Sequence, residues 1–171
     1  MKKQIIYPNF IPRVFAMTID LVVISIVISP LMTIISKYVF IYSFHEFFIQ
    51  HGIDTNNTEA MSAAIKLPEF ADYITAFKFF SYLGILFCLN TVFVGGYFIT
   101  LWHKFGTTLG KIVMRMKIVD ADDYSKKPSI YQCIKRFLGY ITAFIGIWSI
   151  VFNKRGMALH DKIANTVVIK N

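Results

Sequence analysis

The 171-residue chain has 56% apolar side chains and a formal net charge of +8. A soluble domain contains roughly 45–50% apolar residues, so this composition excludes an ordinary water-soluble protein. Lysines and arginines cluster at the ends of apolar blocks, as they do beside membrane helices. The basic excess therefore indicates membrane topology and contact with anionic lipid at the cytoplasmic face, and not binding to nucleic acid. The length predicts a single domain, residues 1–171.

Two segments are long and apolar enough to span a bilayer. Residues 14–36 and 79–102 each exceed the roughly 20 residues needed to cross a hydrocarbon core of about 30 Å. We therefore predict an all-α integral membrane protein with two transmembrane helices. The basic start of the chain precedes an apolar run, as in a signal peptide, but Arg13 and Asp20 interrupt that run. The sequence thus predicts an uncleaved first helix.

A third apolar segment, residues 137–152, leaves two topologies open. Its length of about 24 Å is short for a full span. If the segment turns back as a short hydrophobic hairpin, 15 of the 18 Lys and Arg residues lie on the cytoplasmic side. If it is a spanning helix, the basic residues after it lie outside, against the positive-inside tendency. We favour the hairpin, with both termini cytoplasmic and residues 37–78 forming a non-cytoplasmic insert.

After the second helix, the sequence pattern predicts a small strand element. Residues 114–118 alternate apolar and charged side chains, which is the period-two pattern of a half-buried strand, and the acidic run 120–123 indicates a turn. Residues 166–169 are the expected partner strand. We predict a small cytoplasmic strand pair.

Arg13 and Asp20 are charged residues in the first apolar helix. Seven residues apart, they lie on one helix face and are separated by about 10 Å along the axis. Arg13 can stay among headgroups, whereas a charged aspartate deep in lipid costs roughly 2.5–3.5 kcal/mol. Asp20 must therefore face protein, be paired or be protonated. Its candidate partners are Lys104, Lys111, Arg13 and the backbone of a turn.

Three motifs occur in order along the chain. They are Pro12-Arg13 with Asp20, then Gly106–Lys111 followed by Met116–Asp120, and finally Ala158–Val168. In this order they resemble the motifs of the RDD membrane proteins, a family named for one arginine and two aspartates. The resemblance implies a multi-pass protein of the bacterial inner membrane. It also implies that the motif residues are Arg13, Asp20 and Asp161. The sequence departs from the family pattern at Asn165, where many members have glycine.

Two functions remain open. The first is cation or proton transport or coupling around Asp20 and Asp161, an option that the resemblance supports because some relatives have been linked to cation/proton antiport. Two or three short helices cannot easily enclose a pathway, so this function requires a homo-oligomer or a partner membrane protein. The alternative is a non-transporting accessory or scaffold subunit, in which Arg13, Asp20 and Asp161 form a structural polar clasp.

Gly110, Lys111 and His160 are supporting residues beside the motif positions. His160 precedes Asp161, but adjacent helical residues point about 100° apart and no serine or cysteine nucleophile is placed near them. We therefore expect no enzyme, catalytic residue, metal site or cofactor. The run that ends in Gly110-Lys111 lacks the glycine spacing of a phosphate-binding loop, and we expect it to place Lys111 near phospholipid phosphates.

We predict that the C-terminus is cytoplasmic. Lys170→Cys, in a chain whose Cys88 and Cys133 are alanine, should react with a membrane-impermeant maleimide only after the membrane is opened. Asn56→Cys, in the predicted non-cytoplasmic insert, is the matched control and should react in intact cells. Labelling of position 170 in intact cells would refute the hairpin topology.

Overall fold

The computed structural model describes residues 6–140 and 157–170. In chain order the described elements are α1 (Phe10–Ser43), α2 (His45–Gln50), α3 (Thr58–Ile65), α4 (Pro68–Tyr73), α5 (Ala76–Phe105), α6 (Leu109–Val113), β1 (Met116–Asp120), α7 (Ile130–Gly139), α8 (Leu159–Ile163) and β2 (Thr166–Lys170). The chain is mostly helical and forms two compact units. One contains the described residues up to Ile26 and from Val94 onward, and the other is Val27–Phe93.

Helices α1 and α5 are, within the described residues, the two that are long and apolar enough to cross a membrane. Both extend beyond the predicted apolar runs, since α1 has 34 residues and α5 has 30. Charged side chains at the ends of the runs do not stop a helix, whereas a residue with left-handed backbone does. Gly106, with a φ of 66°, follows the last residue of α5.

The predicted third apolar segment, residues 137–152, can be followed only in part. Residues 137–139 form the end of α7. The segment from residue 141 to 152 lies outside the described residues. The choice between a hairpin and a spanning helix therefore stays a prediction.

The predicted strand pair is present. Strands β1 and β2 are antiparallel and pair over their whole length, from Met116 opposite Lys170 to Asp120 opposite Thr166. The first strand begins two residues later than the alternating pattern indicated, because Arg115 has a φ of 52°, outside the extended region.

The core of the first unit gathers elements that are far apart in the chain. Its buried residues are Ala16, Trp102, Met116, Ile118, Cys133 and Val168. They come from α1, α5, β1, α7 and β2, and burial of apolar surface stabilises their association. Because Ala16 lies between Arg13 and Asp20 on α1, this core also brings the charged part of α1 to the strand pair.

The second unit has an aromatic core of its own. Its buried residues are Phe44, Phe47, Phe48, Met61, Ala64 and Phe70. Asn57 begins α3, since its side chain accepts hydrogen bonds from the backbone N–H groups of Glu59 and Ala60. The insert of residues 37–78 is thus largely helical and packed, and its location outside the cytoplasm stays a prediction.

Gly110 contacts the backbone of α1 so closely that no side chain fits. A Cβ atom at this position would overlap the carbonyl oxygen of Ala16. We predict that Gly110→Ala lowers the free energy of unfolding by at least about 2 kcal/mol, because two backbones must separate. The measurement is unfolding of the purified protein in detergent.

Gly96→Ala is the matched control. A Cβ atom at Gly96 would meet no atom of the described residues within 4 Å, and alanine is the better helix former by roughly 1 kcal/mol. We expect no loss of stability from this substitution. Equal losses from both substitutions would contradict the close contact between Gly110 and α1.

Candidate functional site

Asp20 is fully buried and accepts three hydrogen bonds. Its Oδ2 accepts from the Thr108 hydroxyl at 2.5 Å, and its Oδ1 accepts from the Gly110 N–H at 2.8 Å and the Tyr97 hydroxyl at 3.0 Å. Thr108 is the N-cap of α6, and the Gly110 N–H belongs to the first helical turn, where N–H groups lack intrahelical acceptors. Asp20 therefore attaches α1 to the start of α6 and to α5.

Asp161 is the centre of a buried ion triad. Its Oδ2 lies 2.7 Å from Nη1 of Arg13, and its Oδ1 lies 2.5 Å from Nη2 of Arg136. Oδ2 also accepts the backbone N–H of Ala158 at 3.1 Å, and Nη1 of Arg136 donates to Thr166 Oγ1 at 2.7 Å. The triad, which we define as Arg13, Asp161 and Arg136, connects α1, α7, α8 and β2.

The charges around Asp161 decide its ionisation. Burial alone raises the pKa of its carboxyl group, but Arg136, His160 and Arg13 together outweigh burial and hold the pKa at about 2. Burial and the neighbouring Arg136 lower the pKa of His160 to about 3. At neutral pH the carboxylate is thus ionised and the imidazole is neutral.

A stack of aromatic rings covers Arg136. The ring centroids of Phe98 and Trp102 are 5.2 Å apart, those of Trp102 and Tyr140 are 5.7 Å apart, and those of Tyr140 and His160 are 4.3 Å apart. The guanidinium carbon of Arg136 lies 5.3 Å from the centre of a Trp102 ring, within the range of a cation–π interaction. Arg136 is only 1% exposed and Asp161 is fully buried.

Lys111 is buried, contrary to the expectation that it contacts phospholipid phosphates at the surface. Its side chain lines a cavity of about 320 Å³, and the residue is only 6% exposed. Within the described residues its ammonium group has neither an ion pair nor a hydrogen bond. Burial, followed by repulsion from Arg136, lowers the pKa of Lys111 to about 8.

The six residues predicted from the sequence all lie in the first unit. They are Arg13, Asp20, Gly110, Lys111, His160 and Asp161. The structure places them in two groups, one around the Asp20 carboxylate and one around the Asp161 carboxylate. Lys111 is close enough to both carboxylates to interact with them electrostatically.

Three further residues contribute to the site that the sequence motifs do not predict. In the sequence Arg136 is one of the basic residues that indicate topology. Its spacing of three residues from Cys133 and from Gly139 places the three on one helical face, and that face is buried. Tyr97 and Thr108 carry no distinctive pattern of their own. Among the described residues, no group of three or more His, Cys, Asp or Glu residues could hold a metal ion.

Asn165, where the resemblance implies glycine in many members, lies at the turn into β2. Its φ of 50° is in the left-handed region, which glycine enters freely and asparagine tolerates better than most residues. Its side-chain amide donates to Asp122 Oδ2 at 2.6 Å. The departure from the family pattern thus preserves the turn.

Comparisons with known proteins agree with the resemblance. The family model described as "RDD family" matches residues 7–165, which confirms the motif-based recognition. An uncharacterized protein of Rickettsia prowazekii (strain Madrid E) is 41% identical over 174 aligned residues, covering 100% of each chain. No solved structure matches this chain significantly.

We predict that Lys111 makes stability depend on pH in the alkaline range. In the folded protein the ammonium group loses its proton near pH 8, whereas in the unfolded chain it keeps the proton up to about pH 10.5. The unfolded state binds more protons in this window, so the free energy of unfolding should rise with pH, by at most about 3 kcal/mol. The measurement is unfolding in detergent at several pH values.

The free energy of unfolding of Lys111→Gln should not rise with pH in this way. The difference in this pH dependence between wild type and variant isolates the contribution of Lys111. The matched control is Lys104→Gln, which removes an exposed lysine and should keep the wild-type pH dependence. If wild type and Lys111→Gln respond alike between pH 8 and 10.5, the ammonium group is not buried as described.

Proposed function

Because the chain belongs to the RDD family, which is membrane-associated, we propose that it is a non-transporting accessory or scaffold subunit of a membrane. In this proposal Arg13, Asp20 and Asp161 form a structural polar clasp. The observation that carries the proposal is that both buried carboxylates already accept hydrogen bonds from the protein itself, and that Asp161 also forms an ion pair with Arg136.

The clasp connects segments that are far apart in the chain. Arg13 and Asp161 are 148 positions apart, and Asp20 and Gly110 are 90 positions apart. Removing one partner from a buried ion pair costs roughly 3–5 kcal/mol, because the remaining charge stays buried without its counter-charge. A role in holding α1 against α6 and α8 therefore accounts for the charges in an apolar helix.

The surroundings of Asp20 do not favour a bound cation. A metal or sodium ion needs oxygen ligands that offer lone pairs, whereas Tyr97, Thr108 and Gly110 direct hydrogen-bond donors at the carboxylate. Lys111, Arg13 and Arg136 add positive charge nearby, which repels a cation. Cation or proton transport nevertheless stays an open hypothesis, and it would still require an oligomer or a partner protein.

The proposal includes a location and partners. The two long apolar helices and the family support a membrane protein. Within that frame we propose a multi-pass protein of the bacterial inner membrane with both termini in the cytoplasm, where most Lys and Arg residues then lie. Anionic lipid is the proposed partner at that face, together with a second copy or another membrane protein. The proposal assigns no reaction to the cluster.

We predict that Asp20→Asn lowers the free energy of unfolding and leaves the proton flux through vesicles unchanged. The new amide nitrogen would face N–H and O–H donors, and leaving buried donors unsatisfied costs about 1–3 kcal/mol for each group. Asn90→Ala, an equally small change at an exposed residue of α5, is the control and should leave stability nearly unchanged. The measurement is unfolding of the three purified proteins in detergent.

The same proteins, reconstituted in vesicles, separate the two functions. Wild-type vesicles should show no proton flux dependent on pH or Na⁺ above that of empty vesicles. A flux that the wild type supports and a stably folded Asp20→Asn variant lacks would overturn the clasp proposal in favour of transport.

A further inference from the structure

One cavity in the first unit combines a charged end with an apolar wall. It has a volume of about 320 Å³, at the lower end of the ~300–1,000 Å³ range of small-molecule sites. Arg13, Lys111 and Arg136 line one part of it. Asp20 of the clasp and Tyr140 and His160 of the aromatic stack also line it.

The formal charges of the cavity wall and of Asp161, which pairs with two residues of that wall, do not cancel. Arg13, Lys111 and Arg136 contribute three positive charges, whereas Asp20 and Asp161 contribute two negative ones. A buried charge without a counter-charge is costly, since desolvation is not offset by an ion pair. One negative charge in the cavity would balance the set.

The cationic groups also have N–H donors that form no hydrogen bond within the described residues. Among the described residues, Arg13 gives only Nη1 to Asp161, and its buried Nε and Nη2 have no hydrogen-bond partner. The Lys111 ammonium likewise has no partner within the described part of the chain. Guanidinium and ammonium groups are the side chains that bind phosphate oxygens.

The rest of the wall is suited to an acyl chain. Val14, Met17 and Leu21 line the cavity from a single face of α1, and 37%, 37% and 50% of their surface, respectively, is exposed. They extend the wall along the helix for about 10 Å, at 1.5 Å per residue. A chain whose head lies beside Arg13 could continue along this strip toward the surroundings of the helix.

We infer that this cavity binds a singly charged phosphate amphiphile, such as an anionic phospholipid, with its phosphate at Arg13 and Lys111 and its chain along Val14, Met17 and Leu21. The volume accommodates a headgroup and the first part of a chain, but not a whole lipid. The ligand supplies the missing negative charge, so binding stabilises the folded protein. The site is separate from the general attraction of surface lysines to anionic lipid.

The experiment compares three probes on the purified protein in neutral detergent. They are dioleoyl phosphatidylglycerol, zwitterionic dioleoyl phosphatidylcholine and sodium phosphate. Native mass spectrometry measures the lipid that the protein retains, and the unfolding temperature measures stabilisation. We expect at least tenfold preferential retention of phosphatidylglycerol over phosphatidylcholine, and a rise in unfolding temperature with phosphatidylglycerol alone.

Two variants test where the lipid sits. Lys111→Gln should remove the preference by deleting one positive charge of the cavity wall, and Met17→Trp should reduce retention by filling the apolar part while it leaves every charge in place. Lys104→Gln removes an exposed lysine outside the cavity and should retain phosphatidylglycerol as the wild type does.

Equal retention of both lipids by the wild type would overturn the inference. So would an unchanged preference in a folded Lys111→Gln or Met17→Trp variant, because the lipid would then bind elsewhere. Stabilisation by sodium phosphate equal to that by phosphatidylglycerol would also overturn it, because the apolar wall would then contribute nothing and the ligand would be a free anion.

Discussion

The first unit depends on the ion triad in which Arg13 and Arg136 hold the Asp161 carboxylate. A fully buried carboxylate is stable only when charges and donors replace water, and the two guanidinium groups do so from distant positions in the chain. Once the triad forms, α1, α7 and α8 have little freedom to move apart. The charged residues of the apolar first helix are therefore explained by the contacts that fix the fold.

The Asp20 carboxylate supports the triad through the backbone. Gly110 can donate to Asp20 only because it has no side chain, since a Cβ atom would collide with Ala16. The absence of a side chain at the glycine thus lets the two backbones approach closely, and this approach allows the hydrogen bond to the carboxylate. Thr108 contributes twice, as the N-cap of α6 and as a donor to Asp20.

This arrangement explains why a cluster so rich in charge supports a clasp and an anion site better than a cation pathway. The two positive charges of Arg136 and Arg13 exceed the single negative charge of Asp161, and Lys111 adds a further positive charge. Burial, followed by repulsion from Arg136, lowers the pKa of Lys111, so repulsion by neighbouring positive charge contributes to that shift. An excess of positive charge beside an apolar wall matches the chemistry of an anionic amphiphile.

The sequence by itself determined the two long apolar helices, the strand pair and the family motifs, because hydropathy, periodicity and motif spacing are local properties of a chain. Only the tertiary structure decided that Arg136 pairs with Asp161, that Tyr97 and Thr108 bind Asp20, and that Lys111 is buried. These contacts join residues as far as 88 positions apart for Thr108 and Asp20, and no local pattern encodes such a pairing. A basic residue looks the same in sequence whether it faces lipid headgroups or a buried carboxylate, since its charge is evident and its partner is not.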